Sequence, residues 1–377
     1  MSLNDLLSSV FWALCRLLPV RKNRVVFCSF YGRGYSDSPK AIADELLRKN
    51  TSAELLWLVS TPEDAASLPD GIRPVPHHGW RRILALSTAR VWVDNCRKYD
   101  RYKKKNQFYM QTWHGFALKR IEADAAGALA DVYVRACQLD SSHCDVMISG
   151  SQFMTNLYHR HFWYNGPVEN FGTPRNDCFF TDCSALHSTV LQKLGLPDTQ
   201  RIVLYAPTFR ADGSLTPYSL DVPELLRACS AKFGGSWSCL IRLHPNIAEQ
   251  SKGLFPYNGT TILDATAYPD MAELLIAADL LITDYSSSIF DFALSGKPCF
   301  QFATDIADYR QDRSFNFPLD RLPFALAENN AQLCDAISAY SPEAAHEKWD
   351  QFVRENGICE DGHAAERCAD WILNRLG

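Results

Sequence analysis

The chain has 377 residues, more than one ordinary core of about 100–200 residues accommodates, so two domains are expected. An apolar content of 47% with 21% charged residues describes a folded globular protein, and a formal net charge of −5 argues against general nucleic-acid binding. Thirteen cysteines, an odd number with no C-x-x-C pair, fit neither a disulfide framework nor a zinc signature and point to a reducing, cytoplasmic compartment.

The first stretch, LLSSVFWALCRLLPVRKNR, is apolar and aromatic, is interrupted by Arg16, and ends in Arg21, Lys22 and Arg24. The apolar run is shorter than the about 20 residues that span a bilayer. Two readings of residues 1–22 stand: an amphipathic segment lying on a membrane surface, or a helix packed on its own domain. NRVVFCSF (23–30) then reads as a buried strand, followed by glycines, Ser/Asp caps and a helical run from Pro39. AELLWLVS (53–60), ARVWVDNC (89–96), QFYMQTWHG (107–115) and CDVMISGS (144–151) continue the strands, with QFMTNLYHRHF as a helix and VENFGTPRND (168–177) as a strand running into a link. The pattern restarts with RIVLYAPTF (201–209), a helix near 223–232, SCLIRLHP (238–245), TTILDAT (260–266), a helix near 270–277, DLLITDYSS and PCFQFAT. Apolar strands alternating with helices predict parallel α/β sheets. The expected fold class is α/β, with two Rossmann-like domains facing a cleft in a glycosyltransferase-B-like arrangement. The expected boundaries are 23–175 for an N-terminal acceptor-side domain, 176–362 for a C-terminal donor-side domain, and 363–377 for a helix that crosses back.

Ligands of open α/β sheets sit at the carboxyl ends of the strands. At those ends the sequence places His114 and Gly115, Thr208 and Arg210, Arg242 and His244, and the cluster Asp284, Tyr285, Ser286, Ser287 and Ser288. A helix starting near Ser286–Ser288 offers free N–H groups and hydroxyls to a phosphate, and simple N-capping is the competing reading. Asp284 is awkward beside an anion and is expected to cap backbone donors or orient a neighbour. Gly115 permits close backbone approach to a ligand. Arg242 and His244 share a side by period-two geometry. One imidazole can act as general base and another can donate to phosphate oxygens. His77, His78, His159 and His161 lack such settings and read as surface or packing residues. The run RKYDRYKKK (97–105) reads as a solvated loop that could attract an anionic acceptor or lipid headgroup.

Seven separated motifs, GRGYSDSPKAI, QTWHGFALKR, GTPRND, YAPTFR, RLHP, DMAELLIAADLLITDYSSSIFDFALSGKPCFQF and YRQDRSFNF, occur in the order found in the CDP-glycerol glycerophosphotransferase family. The chain resembles these teichoic-acid and capsule polyol-phosphate transferases over roughly residues 24–375. The resemblance implies a glycosyltransferase-B-like fold and transfer of glycerol phosphate from CDP-glycerol to a hydroxyl of a polymer, glycan or lipid-linked acceptor, with CMP released. It implies His114 as general base, and His244, Ser286 and Ser287 as donor-phosphate contacts. Thr208, Arg210, Arg242, Asp284, Ser288 and Arg313 complete the expected CDP side, with Gly115 and Lys119 on the acceptor side. No cofactor or structural metal is implied, and a peripheral position on the inner face of the membrane is. Two departures stand out: Phe116 and Ala117 follow Gly115 where the family commonly reads WHGTPLK, and RSFNFPLD from Arg313 replaces RGFYFD. Competing readings are a CDP-ribitol or other polyol phosphotransferase, a nucleotide-sugar glycosyltransferase, and a non-catalytic membrane scaffold.

Overall fold

The computed structural model describes residues 3–100, 102–125, 129–210, 212–244, 247, 253–307, 309 and 314–377, with residues 3–8 by their backbone alone. The chain forms two compact units. Unit 1 comprises Met1–His114, Gly127–Asp177 and Gly357–Gly377, and unit 2 comprises Gly115–Ala126 and Cys178–Asn356.

In chain order, unit 1 contains α1 (Leu3–Cys15), β1 (Arg21–Cys28), α2 (Asp37–Arg48), β2 (Glu54–Val59), α3 (Pro62–Ala66), β3 (Ile72–Pro76), α4 (Gly79–Thr88), β4 (Ala89–Asp94), β5 (Phe108–Gln111), α5 (Asp131–His143), β6 (Val146–Ile148), α6 (Gln152–His161) and β7 (Val168–Glu169). Unit 2 continues with α7 (Ser184–Lys193), β8 (Arg201–Tyr205), α8 (Val222–Phe233), β9 (Trp237–Ile241), β10 (Ile262–Asp264), α9 (Met271–Ala277), β11 (Leu280–Thr283), α10 (Ser288–Ala293), β12 (Cys299–Phe302), β13 (Ala325–Ala327), α11 (Asn330–Ser338) and α12 (Pro342–Asn356). A last helix, α13 (Ala364–Leu373), belongs to unit 1.

The sheet of unit 1 runs β3-β2-β1-β4-β5-β6-β7 and that of unit 2 runs β10-β9-β8-β11-β12-β13. The strand pairs are parallel. Both sheets therefore have the doubly wound order in which the connection reverses direction beside the first strand, between β1 and β4 and between β8 and β11.

Alternation along β1 shows why its run is apolar throughout. Val25 and Phe27 pack on one face with Ile42, Ala43 and Leu46 of α2 and with Cys368, Ala369 and Ile372 of α13. Val26 and Cys28 point the other way, to Trp12 and Cys15 of α1 and Ile83 and Leu86 of α4. Both faces are covered, so neither tolerates a polar side chain. Truncating Ile42, which has no exposed surface, to alanine costs about 2–5 kcal/mol. In unit 2, Val222, Leu225, Leu226 and Cys229 fall on one stripe of α8 and bury it against Val203, Tyr205 and Cys239. Asp221 caps that helix through Glu224 N at 2.9 Å, and Gly234, at φ +69°, ends it.

The helix after β1 begins at Asp37, two residues before the expected start at Pro39. β3 escaped the sequence reading because its Ile-Arg-Pro-Val-Pro run is mostly exposed at the sheet edge, where proline is tolerated. In α1, Trp12 and Cys15 are buried while Val10, Leu14, Leu17 and Leu18 around its end stand exposed. Among the described residues, no helix is long and apolar enough to cross a membrane.

Candidate active site

In unit 1 the site is built on the ends of β1, β4 and β5. His114 follows β5 in a turn that begins with Trp113 at φ +54°, a left-handed conformation uncommon for a side chain of this size. That turn is held from behind: Trp113 N donates to Gln111 Oε1 at 2.8 Å, and Gln111 Nε2 donates to the Cys96 carbonyl and the Tyr109 hydroxyl. The His114 ring stacks on Trp113 with centroids 4.2 Å apart, and Phe30 lies at 6.0 Å. Its Nδ1 sits 2.8 Å from the Asn95 carbonyl oxygen. A carbonyl only accepts, so Nδ1 carries the proton and Nε2 is the acceptor nitrogen of the ring. That is the tautomer a general base requires.

Asn95 is fully buried just past β4. Its Oδ1 accepts from Phe30 N at 2.9 Å, and its Nδ2 lies 3.4 Å from Ser29 Oγ. The bond to Phe30 holds a residue at φ +43°. Asn95 thus ties the loops after β1 and β4, the point where the strand order reverses, to the histidine after β5. Sequence reading missed Asn95, because an asparagine at a strand end carries no signal of its own.

The positive run 97–105 does not stand free in solvent at its start. Arg97 is buried and gives Nη1 to Asp140 Oδ2 at 3.1 Å and Ser141 Oγ at 2.8 Å. Lys98 is buried with Nζ 2.7 Å from Asp94. Burial is the largest influence and works against the Lys98 charge, but Asp94, Cys28 and Asp100 together outweigh it and hold the ammonium above its ordinary pKa. Asp100 is buried against Arg82 at 2.6 Å.

In unit 2 the corresponding reversal point lies between β8 and β11. Asp284, 2% exposed, accepts from Thr208 N at 2.7 Å and Tyr285 N at 2.6 Å through Oδ1. Its Oδ2 pairs with Arg210 Nη2 at 2.9 Å. Arg210 in turn gives Nε and Nη2 to Asp305 at 2.6 and 2.9 Å and Nη1 to the Thr208 carbonyl. Tyr285 OH also reaches Asp305 at 2.9 Å, and Tyr285 stacks on Tyr309 at 3.8 Å. Burial disfavours the Arg210 charge, yet Asp305 and Asp284 raise its pKa well above the ordinary value. Burial likewise pushes Asp305 up, and the Arg210 bonds outweigh it and hold the carboxyl below its usual range. One guanidinium against two carboxylates leaves no spare positive charge, so Arg210 acts as an internal clamp across the ends of β8, β11 and β12. Asp305 was not singled out from sequence; it stands 95 residues from Arg210.

Thr208 and Arg242 differ. Thr208 Oγ1 and Arg242 Nη1 are buried and have no hydrogen-bond partner. Burial lowers the Arg242 pKa, with Asp270 and Tyr268 opposing. A desolvated guanidinium with an unused N–H, and an unused hydroxyl past the adjacent strand, each suit an anionic ligand. His244 is exposed past β9, its ring 5.2 Å from Phe209. Ser286 and Ser288 hydroxyls lie 2.9 Å apart, and Ser288 N donates to Ser286 Oγ at 3.3 Å. Ser287 occupies the N-cap of α10 without a capping bond from its side chain.

Gly115, at φ +124°, and Lys119 fall in unit 2, whereas His114 falls in unit 1. Lys119 Nζ stands 5.3 Å over the Tyr309 ring, and its strand-like backbone bridges to Phe315. Asn316 Nδ2 donates to the carbonyls of Ala117 and Lys119 at 2.8 and 3.0 Å, which straps this segment down. Arg313 lies outside the described residues. Among the described residues, no three His, Cys, Asp or Glu side chains are grouped to hold a metal ion.

Two parallel sheets of this order, each with polar groups gathered at its reversal point, define a protein of the glycosyltransferase-B class. The family model of CDP-glycerol:poly(glycerophosphate) glycerophosphotransferase matches residues 10–374, and the chain belongs to that family. It is 31% identical over 390 residues to the teichoic acid poly(glycerol phosphate) polymerase of Bacillus subtilis (strain 168), covering 98% of this chain and 52% of that protein. It is 28% identical to the teichoic acid glycerol-phosphate transferase of Staphylococcus aureus (strain NCTC 8325 / PS 47), covering 93% of each. A solved structure of the wall teichoic acid polymerase TagF matches with a TM-score of 0.85 at 26% identity, covering 100% of this chain and 99% of that one. The chain spans about half the length of the first curated relatives it matches.

Proposed function

We propose that this chain transfers glycerol phosphate from CDP-glycerol to a hydroxyl of a polyol-phosphate, glycan or lipid-linked acceptor in teichoic-acid-like or capsule biosynthesis. The observation that carries the reading is the His114 tautomer, a base-competent imidazole in a chain of this family. The acceptor oxygen attacks the β-phosphorus as its proton passes to His114 Nε2. A new oxygen–phosphorus bond forms, the bond to the bridging oxygen breaks, and CMP leaves. Arg242, Thr208, Ser286 and Ser287 are assigned to the donor phosphates, with His244 beside them. Positioning and charge neutralisation then supply most of the rate.

The reading includes a peripheral position on the inner membrane face. Its support is the exposed set Val10, Leu14, Leu17 and Leu18 flanked by exposed Arg16, Arg21 and Lys22, a pairing suited to an anionic lipid surface. The test of the activity is incubation with CDP-glycerol and a glycerol phosphate acceptor, with CMP and the extended acceptor as readouts. CMP with acceptor extension supports it. Turnover of CDP-ribitol alone, or sugar transfer from a UDP- or GDP-donor, overturns it.

A further inference from the structure

We propose that Tyr31 and Tyr99 of unit 1 form a saccharide subsite beside His114, an aromatic shelf that receives one pyranose ring of the acceptor. It deepens the transfer reading above and rests on it for placing the acceptor on the side of unit 1.

Both rings are open to a ligand. Tyr31 is 43% exposed and Tyr99 is 46% exposed. Their planes are inclined by only 13°, with centroids 6.3 Å apart. Atoms in contact across two stacked rings lie about 3.5–4 Å apart, so this pair is mostly offset and each ring leaves much of the other's face uncovered. Exposed aromatic side chains scattered singly need no explanation. These two stand as a pair, on the edge that carries the base: the ring of Phe30, one residue from Tyr31, lies 6.0 Å from the His114 ring.

The chain holds this shelf in place against its own local preference. Phe30 and Tyr31 have φ of +43° and +60°, a left-handed conformation uncommon for aromatic residues. Hydrogen bonds fix it. Phe30 N donates to Asn95 Oδ1 at 2.9 Å, Ser60 Oγ to the Tyr31 carbonyl at 2.9 Å, and Ser60 N to the Gly32 carbonyl at 2.8 Å. On the other side, Tyr99 is flanked by buried Lys98 and Asp100, which are anchored to Asp94 and Arg82. Backbone held in sparsely populated regions clusters at ligand clamps. Here it turns an aromatic ring outward, where much of the ring's surface gains no packing from the fold.

The electrostatics of the rings select the ligand. The face of a tyrosine ring carries negative potential and its edge positive potential. A phosphodiester is therefore repelled from the shelf, and a bare glycerol phosphate repeat has no flat apolar face to lay there. A pyranose has such a face, lined by C–H bonds whose weakly positive hydrogens favour an aromatic surface. Its hydroxyls then reach the rim, where a phenol oxygen both donates and accepts. A cytosine base also stacks on tyrosine, but the unused groups assigned to the donor phosphates, Arg242 and Thr208, belong to unit 2. The spacing suits a sugar one repeat behind the reacting hydroxyl. One glycerol phosphate repeat has six backbone bonds, as many as two amino-acid residues, and reaches roughly 7 Å. The step from the His114 ring to Phe30, the neighbour of Tyr31, is 6.0 Å.

The experiment has two arms, both on the full chain. In the first, methyl β-glucopyranoside is added and saturation-transfer NMR reads which sugar protons receive magnetisation from the protein's aromatic rings. The ring C–H protons should respond. Tyr99→Ala, at an exposed position, should weaken the response, and adding Tyr31→Asn should abolish it; asparagine tolerates the left-handed backbone. Tyr31→Phe with Tyr99→Phe keeps both faces and should keep the response. No response in the wild type, or one that survives the loss of both rings, overturns the subsite. In the second arm, transfer is measured on one glycerol phosphate repeat and on the same repeat joined through its phosphate to methyl β-glucopyranoside. The wild-type KM should be about tenfold lower for the glycosylated acceptor, and the preference should vanish without the two rings and persist with the phenylalanines. Equal wild-type KM values overturn the proposal. So does a weakened affinity for CDP in the variant lacking both rings, since the shelf then holds the base of the donor. Sugar binding through the two tyrosines in a chain that does not use CDP-glycerol counts against the transfer reading and not against the subsite.

Discussion

The Nδ1 atom of His114 donates to the main-chain carbonyl of Asn95 at 2.8 Å, and Asn95 is held in turn by Phe30 N. The bond fixes both the ring and its proton. Replacing His114 with asparagine removes the base and should lower kcat by about 10²–10⁴-fold. Donor affinity, measured by calorimetry, should stay near the wild-type value. His244→Asn should weaken donor affinity as well. A folded His114→Asn protein with wild-type turnover would refute the base assignment.

Arg242 and Thr208 should carry donor affinity. Each unused group is expected to contribute a charge-assisted bond of roughly 1.5–3 kcal/mol to the bound diphosphate. Arg242→Met and Thr208→Val should therefore weaken CDP-glycerol binding by about tenfold or more each. The Ser286→Ala, Ser287→Ala double variant should do the same. Unchanged affinity in the serine variant would leave those hydroxyls as helix-start residues only.

Arg210 should behave as a stability residue. Arg210→Met leaves Asp284 and Asp305 without their counter-charge, and breaking a buried pair in this way costs about 3–5 kcal/mol. Urea denaturation reads it directly. The sign of the pH dependence follows from Asp305, whose carboxyl is held below its ordinary value of about 3.9. Its contribution is complete above that pH and disappears as pH falls through the lower folded value. Wild-type protein should thus lose stability below about pH 4 more steeply than Arg210→Met does. Parallel curves would show that the clamp does not set the acid limb.

Membrane binding is best probed by surface substitution. Trp12 and Cys15 belong to the core of unit 1, so deleting residues 1–20 would unfold the reporter along with the anchor. Leu14→Glu with Leu17→Glu changes only exposed positions. That variant should lose co-sedimentation with vesicles containing anionic lipid while keeping wild-type turnover on a soluble acceptor. Undiminished co-sedimentation would remove this helix from the membrane assignment.

The buried strands were legible in the sequence because parallel strands covered on both faces are written as unbroken apolar runs, as in RVVFC and DLLIT. The edge strand β3 was not, since its prolines and Arg73 mimic a loop. At the site, the strand-end positions of His114, Thr208, Arg242 and Asp284 were readable, and the expectation that Asp284 caps backbone donors matches its bonds to Thr208 N and Tyr285 N. The difference between Arg210 and Arg242 was not readable. Both are arginines just past a strand, and only the approach of Asp305 from a distant part of the chain separates clamp from open donor. The cationic run at 97–105 misled for the same reason: Asp140 and Asp94 neutralise Arg97 and Lys98 through contacts that local sequence does not reveal.

The placement of α13 bears on how the chain is made. Cys368, Ala369, Trp371 and Ile372 complete the same core as Val25, Phe27 and Ile42, so unit 1, most of which is translated ahead of unit 2, lacks one wall until α13 emerges. Unit 2, most of which is the single stretch Cys178–Asn356, faces no such wait. On the ribosome, at about 5–20 residues per second, the second domain can finish before the first. During that interval the apolar face of β1 and α2 is open to chaperones, and a substitution that breaks α13 would injure strands translated well before it.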